Sequence, residues 1–216
     1  MMNMGDIELR MATPEDANAL LQIYAPYILR TGVTFEYEVP TESEFRDRIK
    51  KTVEKYPYLV ACKDGVPIGY AYAKELGQRA AFSHSVETAI YLSGEIRGNG
   101  VGTLLYGELE RILKMQNVTN LYAAVSYREQ EDETISHASP HFHLARGFHK
   151  AAHFKKCGYK FARWYDIVWY EKYIGDHTEH PAAFIPVNML KNIFEQNSNI
   201  YKLKSLIEKS DRNEYC

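Results

Sequence analysis

The chain has 216 residues, enough for one large domain or a domain with an appendage. Hydrophobic residues make up 45% and charged residues 25%, which can fill a core and excludes a disordered chain. Lys+Arg number 26 and Asp+Glu 28, so the net charge of -2 argues against a nucleic-acid grip, and the short apolar runs exclude a membrane span.

Met1 to Asp6 shows no basic stretch followed by an apolar one, so no signal peptide is expected. Cys62, Cys157 and Cys216 are odd in number and widely spaced, which fits neither a disulfide framework nor a CxxC metal motif. A cytoplasmic location with reduced thiols is expected, with Cys62 and Cys157 as small core residues.

Ile7 to Arg10 alternates like a half-buried strand. Thr13-Pro14-Glu15-Asp16 reads as a helix start, and Leu20, Leu21, Tyr24, Tyr27 and Ile28 continue at helical spacing until Gly32. Val33 to Glu36 predicts a short extended piece. A second helix is predicted from Thr41, with Phe45, Ile49, Val53 and Tyr56 on one face and Pro57 as its stop. Tyr58 to Cys62 and Val66 to Ala73 flank Lys63-Asp64-Gly65, a hairpin signal. Ser85 to Leu92 is strand-like, and Arg97-Gly98-Asn99-Gly100-Val101-Gly102 follows directly. A long amphipathic helix then carries Val101, Leu104, Leu105, Leu109, Ile112 and Leu113 on one side. Leu121 to Val125 reads as a strand and Glu129 to Glu133 as a solvated acidic loop. A short helix runs to Arg146, with Gly147 as its C-terminal cap. Two last strands, Lys150 to Cys157 and Arg163 to Tyr173, are predicted to join near Gly158. From Asp176 onward the chain turns polar, with weak helical periodicity at Met189 to Phe194 and Tyr201 to Ile207. Residues 1–174 therefore read as one α+β domain and 175–216 as an extension, helical or partly disordered.

A strand, a glycine loop and a helix start make an anion cradle, because free amides and the helix dipole point at the loop. Arg97 adds a charge there. Gly102 is followed by Thr103 and Leu104, not by Lys-Ser/Thr, so a mononucleotide P-loop fits poorly. The spacing is GxGxG and lies mid-chain, so a dinucleotide fold fits poorly too. Arg-x-x-Gly-x-Gly remains, and it resembles the pyrophosphate loop of the GNAT superfamily of acyl-CoA-dependent N-acetyltransferases.

The resemblance sharpens toward the phosphinothricin and methionine-sulfone branch. It is carried by Thr34-Phe35-Glu36, Tyr56 to Ala61, Gly69 to Ala73, Val86-Glu87, Tyr91-Leu92-Ser93, Ser139 to His143, Gly158 to Phe161 and Trp164 to Asp166. Ser136 stands where the family has an asparagine, and Arg128 to Ile135 reads as an insertion.

This resemblance implies a mostly antiparallel, twisted mixed sheet flanked by helices and splayed at its centre for acyl-CoA. It implies acetyl transfer from acetyl-CoA to the primary amine of a small amino-acid-like acceptor. Glu87 takes the position of the catalytic glutamate; burial in an apolar strand would raise its pKa, while alternation would equally let it face solvent. His143 maps to a histidine that stabilises the intermediate or shuttles a proton, though a core or surface role fits as well. Tyr106 is placed either to protonate the departing thiolate or to pack in the core. Cofactor contacts fall on Tyr91 and Leu92, where pantetheine would add like a strand, on Arg97, Gly98, Asn99, Gly100, Val101, Gly102 and Thr103, and on Ser139. Arg79 and Phe82 are implied at the acceptor pocket, Arg79 as a bidentate carboxylate clamp, against a plain surface loop. Phe35 is implied to line that pocket, with core packing as its alternative. Relatives are often dimers, and 17 Tyr, 9 Phe and 2 Trp supply material for a homodimer interface.

Two rivals stand beside this reading. His137, His141, His143, His149 and His153 crowd one region and raise metal binding, but no acid or cysteine completes a set, so no metal is expected. A non-catalytic acyl-CoA-binding module of the same fold is the other; retention of Glu87 speaks against it.

Overall fold

A computed structural model of the chain describes residues 7–190, apart from Arg97 and the side chain of Glu95. Seven strands form one sheet: β1 (Ile7–Met11), β2 (Tyr58–Lys63), β3 (Val66–Glu75), β4 (Ser85–Leu92), β5 (Asn120–Tyr127), β6 (His149–Lys160) and β7 (Arg163–Tyr173). Four α-helices flank it: α1 (Ala17–Arg30), α2 (Glu42–Val53), α3 (Val101–Met115) and α4 (Ala138–Ala145). The order is β1-β2-β3-β4-β5-β7-β6. All neighbours are antiparallel except β4 and β5, which run parallel and pair only at Ser85–Glu87 against Asn120–Tyr122.

Strand alternation divides the core. Ala71 and Ala73 of β3 face α3, whose Leu105, Leu109, Ile112 and Leu113 are fully buried. Tyr70 and Tyr72 face the other side, with Leu20, Tyr24 and Ile28 of α1 and Phe45 and Ile49 of α2. Each such leucine or isoleucine contributes about 1.5–3 kcal/mol by leaving water.

The helix starts follow their caps. Thr13 and Asp16 form a capping box around a single 3-10 turn before α1. Thr41 Oγ1 accepts from the Glu44 amide at 3.2 Å, while the Glu44 carboxylate accepts from the Thr41 amide at 2.7 Å.

Several expectations change. The short extended piece expected at Val33 to Glu36 joins no strand and belongs to the loop after α1. The second helix ends at Val53, before Pro57 is reached. The last hairpin turns at Phe161 and Ala162, with φ of 50° and 56°, not at Gly158. Gly158 lies within β6, beside an irregularity in its register, and gives room to the Phe35 ring. The acidic stretch is pinned: Asp132 pairs with Arg128 and Arg163 and accepts from the Thr134 amide at 2.8 Å. Cys157 is exposed, not a core residue, whereas Cys62 is buried.

The described part of the extension lies against the domain. Val187 and Leu190 are buried, Phe184 packs on Tyr56, and the Gln116 side-chain amide donates to the Ile185 carbonyl at 2.8 Å. The predicted helices at Met189 to Phe194 and Tyr201 to Ile207 fall wholly or mainly outside the described residues, as does Cys216.

Candidate active site

The glycine loop holds its three glycines for two reasons. Gly98 and Gly100 have φ of 84° and 77°, and a Cβ at either would meet nothing within 4 Å, so the backbone conformation needs them. Gly102 lies inside α3, where a Cβ would stand 3.1 Å from the Phe142 ring and 3.4 Å from Ile90 Cδ1; its smallness lets α4 and β4 approach. Gly100 caps α3 in the left-handed region, no side chain bonds the first-turn amides, and the turn holds no acid. The first-turn N–H groups of Val101, Gly102 and Thr103 are therefore taken by no capping side chain, and the space around Gly98 and Gly100 beside them is open, an arrangement that suits a diphosphate. Arg97 lies outside the described residues.

Beyond Glu87 and Tyr122 the parallel strands part, opening a cleft of about 240 Å3. The Ser93 amide donates to the Ile68 carbonyl, so alternate residues of β4 point their backbone groups toward β3. By that alternation Tyr91 faces β3, and Ile90 and Leu92 face the gap. Both backbone groups of Leu92 are taken by the Tyr27 hydroxyl, which donates to its carbonyl at 2.7 Å and accepts from its amide at 3.2 Å. The open rung is thus Ile90, one residue before the pair named from the sequence. The Tyr91 ring instead packs edge-on against Tyr24 and Tyr27.

Glu87 lines the cleft, but not in an apolar slot. Lys74, its cross-strand partner on β3, places Nζ 3.1 Å from Glu87 Oε1. On the cleft floor, buried His143 binds the Ser139 carbonyl through Nδ1 at 2.8 Å. Only a protonated Nδ1 makes that bond, so Nε2 is the bare acceptor and receives the Tyr106 hydroxyl at 3.0 Å. Thr88 Oγ1 lies 3.2 Å from the same hydroxyl and donates to the Tyr122 carbonyl at 3.1 Å. Burial lowers the His143 pKa and raises that of Tyr106, so both are neutral near pH 7. Tyr106 thus packs in the core and still reaches the cleft. Ser139 joins the lining, and so does Ser126, whose buried Oγ has no partner among the described residues.

The far wall comes from α1 and the loop after it. Tyr24 donates to Glu36 at 3.0 Å and contacts Thr34 Oγ1 at 2.9 Å; burial pushes its pKa up to about 12. Arg48 holds both Glu36 oxygens, at 2.8 and 3.2 Å. Thr34 and Glu36 line the cleft, whereas Phe35 between them turns away, onto Gly158 and Tyr165. Buried Lys160 ties this loop down by donating to the carbonyls of Thr31 and Thr34 at 3.1 and 2.8 Å. Arg79 and Phe82 sit on the exposed loop joining β3 to β4, outside the cleft lining.

Lys74, Ser126 and Lys160 were missed from the sequence. Only Lys74 left a signal: pairing the strands on either side of the 76–84 loop puts it opposite Glu87. The histidines disperse to separate partners: His149 to Glu171, His153 to Asp166, and His137 to the Arg128 carbonyl. Among the described residues no group of three His, Cys, Asp or Glu gathers for a metal, and no helix is long and apolar enough to cross a membrane.

The structure is thus an open mixed sheet split beside a glycine-capped helix, and comparison with known proteins gives its class. The family model "Acetyltransferase (GNAT) domain" matches residues 9–169. A phosphinothricin N-acetyltransferase of Alcaligenes faecalis is 33% identical over 161 residues, covering 74% of this chain and 79% of that protein. An L-amino acid N-acyltransferase of Escherichia coli is 27% identical over 177 residues, covering 82% and 99%. The crystal structure of a phosphinothricin acetyltransferase from Sinorhizobium meliloti, in complex with acetyl-CoA, is 31% identical with a TM-score of 0.74, covering 82% of this chain and 94% of that one. The chain belongs to the GNAT family and is an N-acetyltransferase.

Proposed function

We propose that the chain moves the acetyl group of acetyl-CoA to the primary amine of a small amino-acid-like acceptor, by direct attack in the β4–β5 cleft. The observation that carries this reading is the meeting of Glu87, the open rung at Ile90 and the Tyr106–His143 pair beside a glycine-built anion cradle. Acetyl-CoA is the donor: the Sinorhizobium meliloti relative was solved with it, and the uncapped amides of the loop suit its diphosphate. When bound it supplies an activated thioester carbonyl. The amides from Gly98 to Thr103, with Arg97, hold its diphosphate; Ile90 and the orphan hydroxyl of Ser126 suit the amides of its pantetheine arm, with Ser139 alongside.

Glu87 takes the proton of the acceptor ammonium, directly or through one water, leaving a neutral nucleophile. Tyr106, kept neutral by burial, turns its hydroxyl hydrogen from His143 Nε2 to the leaving sulfur, and regains a proton as the acylated nitrogen sheds its second one. Thr34 and Glu36 face the acceptor, and Phe35 fixes them from behind. Arg79 and Phe82, on the loop joining β3 to β4, are the acceptor-side residues that the family resemblance adds. The names of the relatives support an amino-acid-like acceptor. The reading extends to a cytoplasmic homodimer, for which the exposed Phe154, Tyr159 and Trp164 on the β6–β7 edge offer a surface, and light scattering tests the mass.

The test is acetyl-CoA consumption across a panel of amino acids and analogues, phosphinothricin and L-methionine sulfone included. Wild type should turn over at least one. Glu87→Gln should lose about 100- to 10,000-fold in kcat while binding acetyl-CoA as before by calorimetry. Normal turnover by that variant removes Glu87 from the mechanism.

A further inference from the structure

The acetyl acceptor must bring its amine to Glu87, yet that carboxylate already holds an ammonium, that of Lys74 at 3.1 Å. The two face each other across β3 and β4, and both line the cleft. Glu36, the other acid in the cleft wall, is closed on itself by Arg48 and Tyr24. His143 is uncharged near neutral pH because burial lowers its pKa. Among the described residues this leaves Lys74 as the one cationic side chain of the lining.

We infer that Lys74 is a specificity-determining residue that receives the α-carboxylate of a zwitterionic amino acid while Glu87 receives its ammonium. The inference rests on the acetyl-transfer reading above and deepens it. A half-exposed ion pair is weak and exchanges readily. An amino acid carries both charges on one carbon, so it replaces each partner of the pair in a single exchange. A simple amine takes Glu87 and strands the Lys74 ammonium without a counter-ion. The same pair that welcomes the zwitterion thus penalises the carboxyl-free amine, a repulsive element as well as an attractive one. Arg79, outside the lining, is left for groups farther along the acceptor.

The experiment compares kcat/KM for L-methionine sulfone and for its α-carboxamide, with wild type, Lys74→Met and Lys74→Arg. Loss of one charge-assisted contact predicts a wild-type preference for the acid of about 10- to 100-fold. In Lys74→Met that ratio should collapse toward one, mainly through the KM of the acid. Lys74→Arg should restore most of it, which a role in packing alone would not do. Calorimetry with acetyl-CoA checks that each variant is folded. Equal losses on both substrates in Lys74→Met, or an intact ratio, overturn the inference. So does a wild type that acetylates acid and amide equally, which leaves the acetyl-transfer reading standing. A wild type that binds acetyl-CoA yet acetylates neither compound overturns this inference; if the wider panel also gives no turnover, the reading falls with it.

Discussion

Replacing Gly158 by alanine should disturb the acceptor side of the cleft from a strand that supplies none of its wall. Gly158 is not among the glycines with positive φ, so alanine suits its backbone. Through the unfolded chain alone the change would stabilise by about 0.4–1 kcal/mol. Its Cβ, however, would stand 2.7 Å from Phe35 Cδ2 and nearer still to two other ring atoms, against an ordinary contact of at least 3.4 Å. The ring must retreat by about an ångström. It cannot do so freely, because Tyr165 lies 6.0 Å away centroid to centroid and is itself pressed over Gly32. Overpacking of this kind costs about 1–3 kcal/mol, so a net loss near 1–2 kcal/mol is expected. The strain passes to Thr34 and Glu36, whose contacts with Tyr24 are 2.9 and 3.0 Å. Urea unfolding should show the lower midpoint. Steady-state kinetics should show a KM for the amine raised several-fold and an unchanged KM for acetyl-CoA. Phe35→Leu in the same chain should recover stability, with a coupling of about 1 kcal/mol in a double-mutant cycle. Additive effects, or a Gly158→Ala enzyme with wild-type stability and KM, would refute the account.

Gly100→Ala places a side chain at φ of 77°, in open space, so its cost is backbone strain of about 1–2 kcal/mol. The loop should shift and acetyl-CoA binding weaken several-fold by calorimetry; wild-type affinity would count against the amide cradle. His143→Gln should change the pH dependence of stability. Burial holds His143 below its ordinary 6.5, so the folded state binds fewer protons there than the unfolded one. Its contribution is full above pH 6.5 and is lost as pH falls through the folded value. Thermal melts between pH 7 and 5 should therefore fall more steeply for wild type than for His143→Gln. The carboxyls of Asp16, Asp132 and Asp166, held low against the cost of burial by their hydrogen bonds, lose their contribution only at lower pH. Parallel melting curves would refute the assignment.

Local chemistry was readable along the chain. The strand from Ser85 to Leu92, the glycines after it and the apolar face of α3 declare themselves through β-branched alternation, a helix-capping glycine and 3.6-residue spacing, all interactions within a few residues. Resemblance to a family added Glu87, Tyr106 and His143, and the structure brings those three to one cleft. For Phe35 the resemblance implies pocket lining, with core packing as the alternative; its ring goes to a space that Gly158 leaves, 123 positions later. Gly158 itself was read as a turn, since a glycine between two strand-like runs carries no mark of the ring that needs it.

The sequence by itself determined most of the elements and the glycine loop that opens α3, and resemblance to a family singled out Glu87. Tertiary structure alone decided where β4 and β5 part, that Tyr27 closes Leu92 and leaves Ile90 open, and that Lys74 faces Glu87. The division has a physical origin. Helix propensity, capping and hydrophobic period act between near neighbours, whereas register, strand divergence and the pairing of charges arise only when distant segments share one packed core.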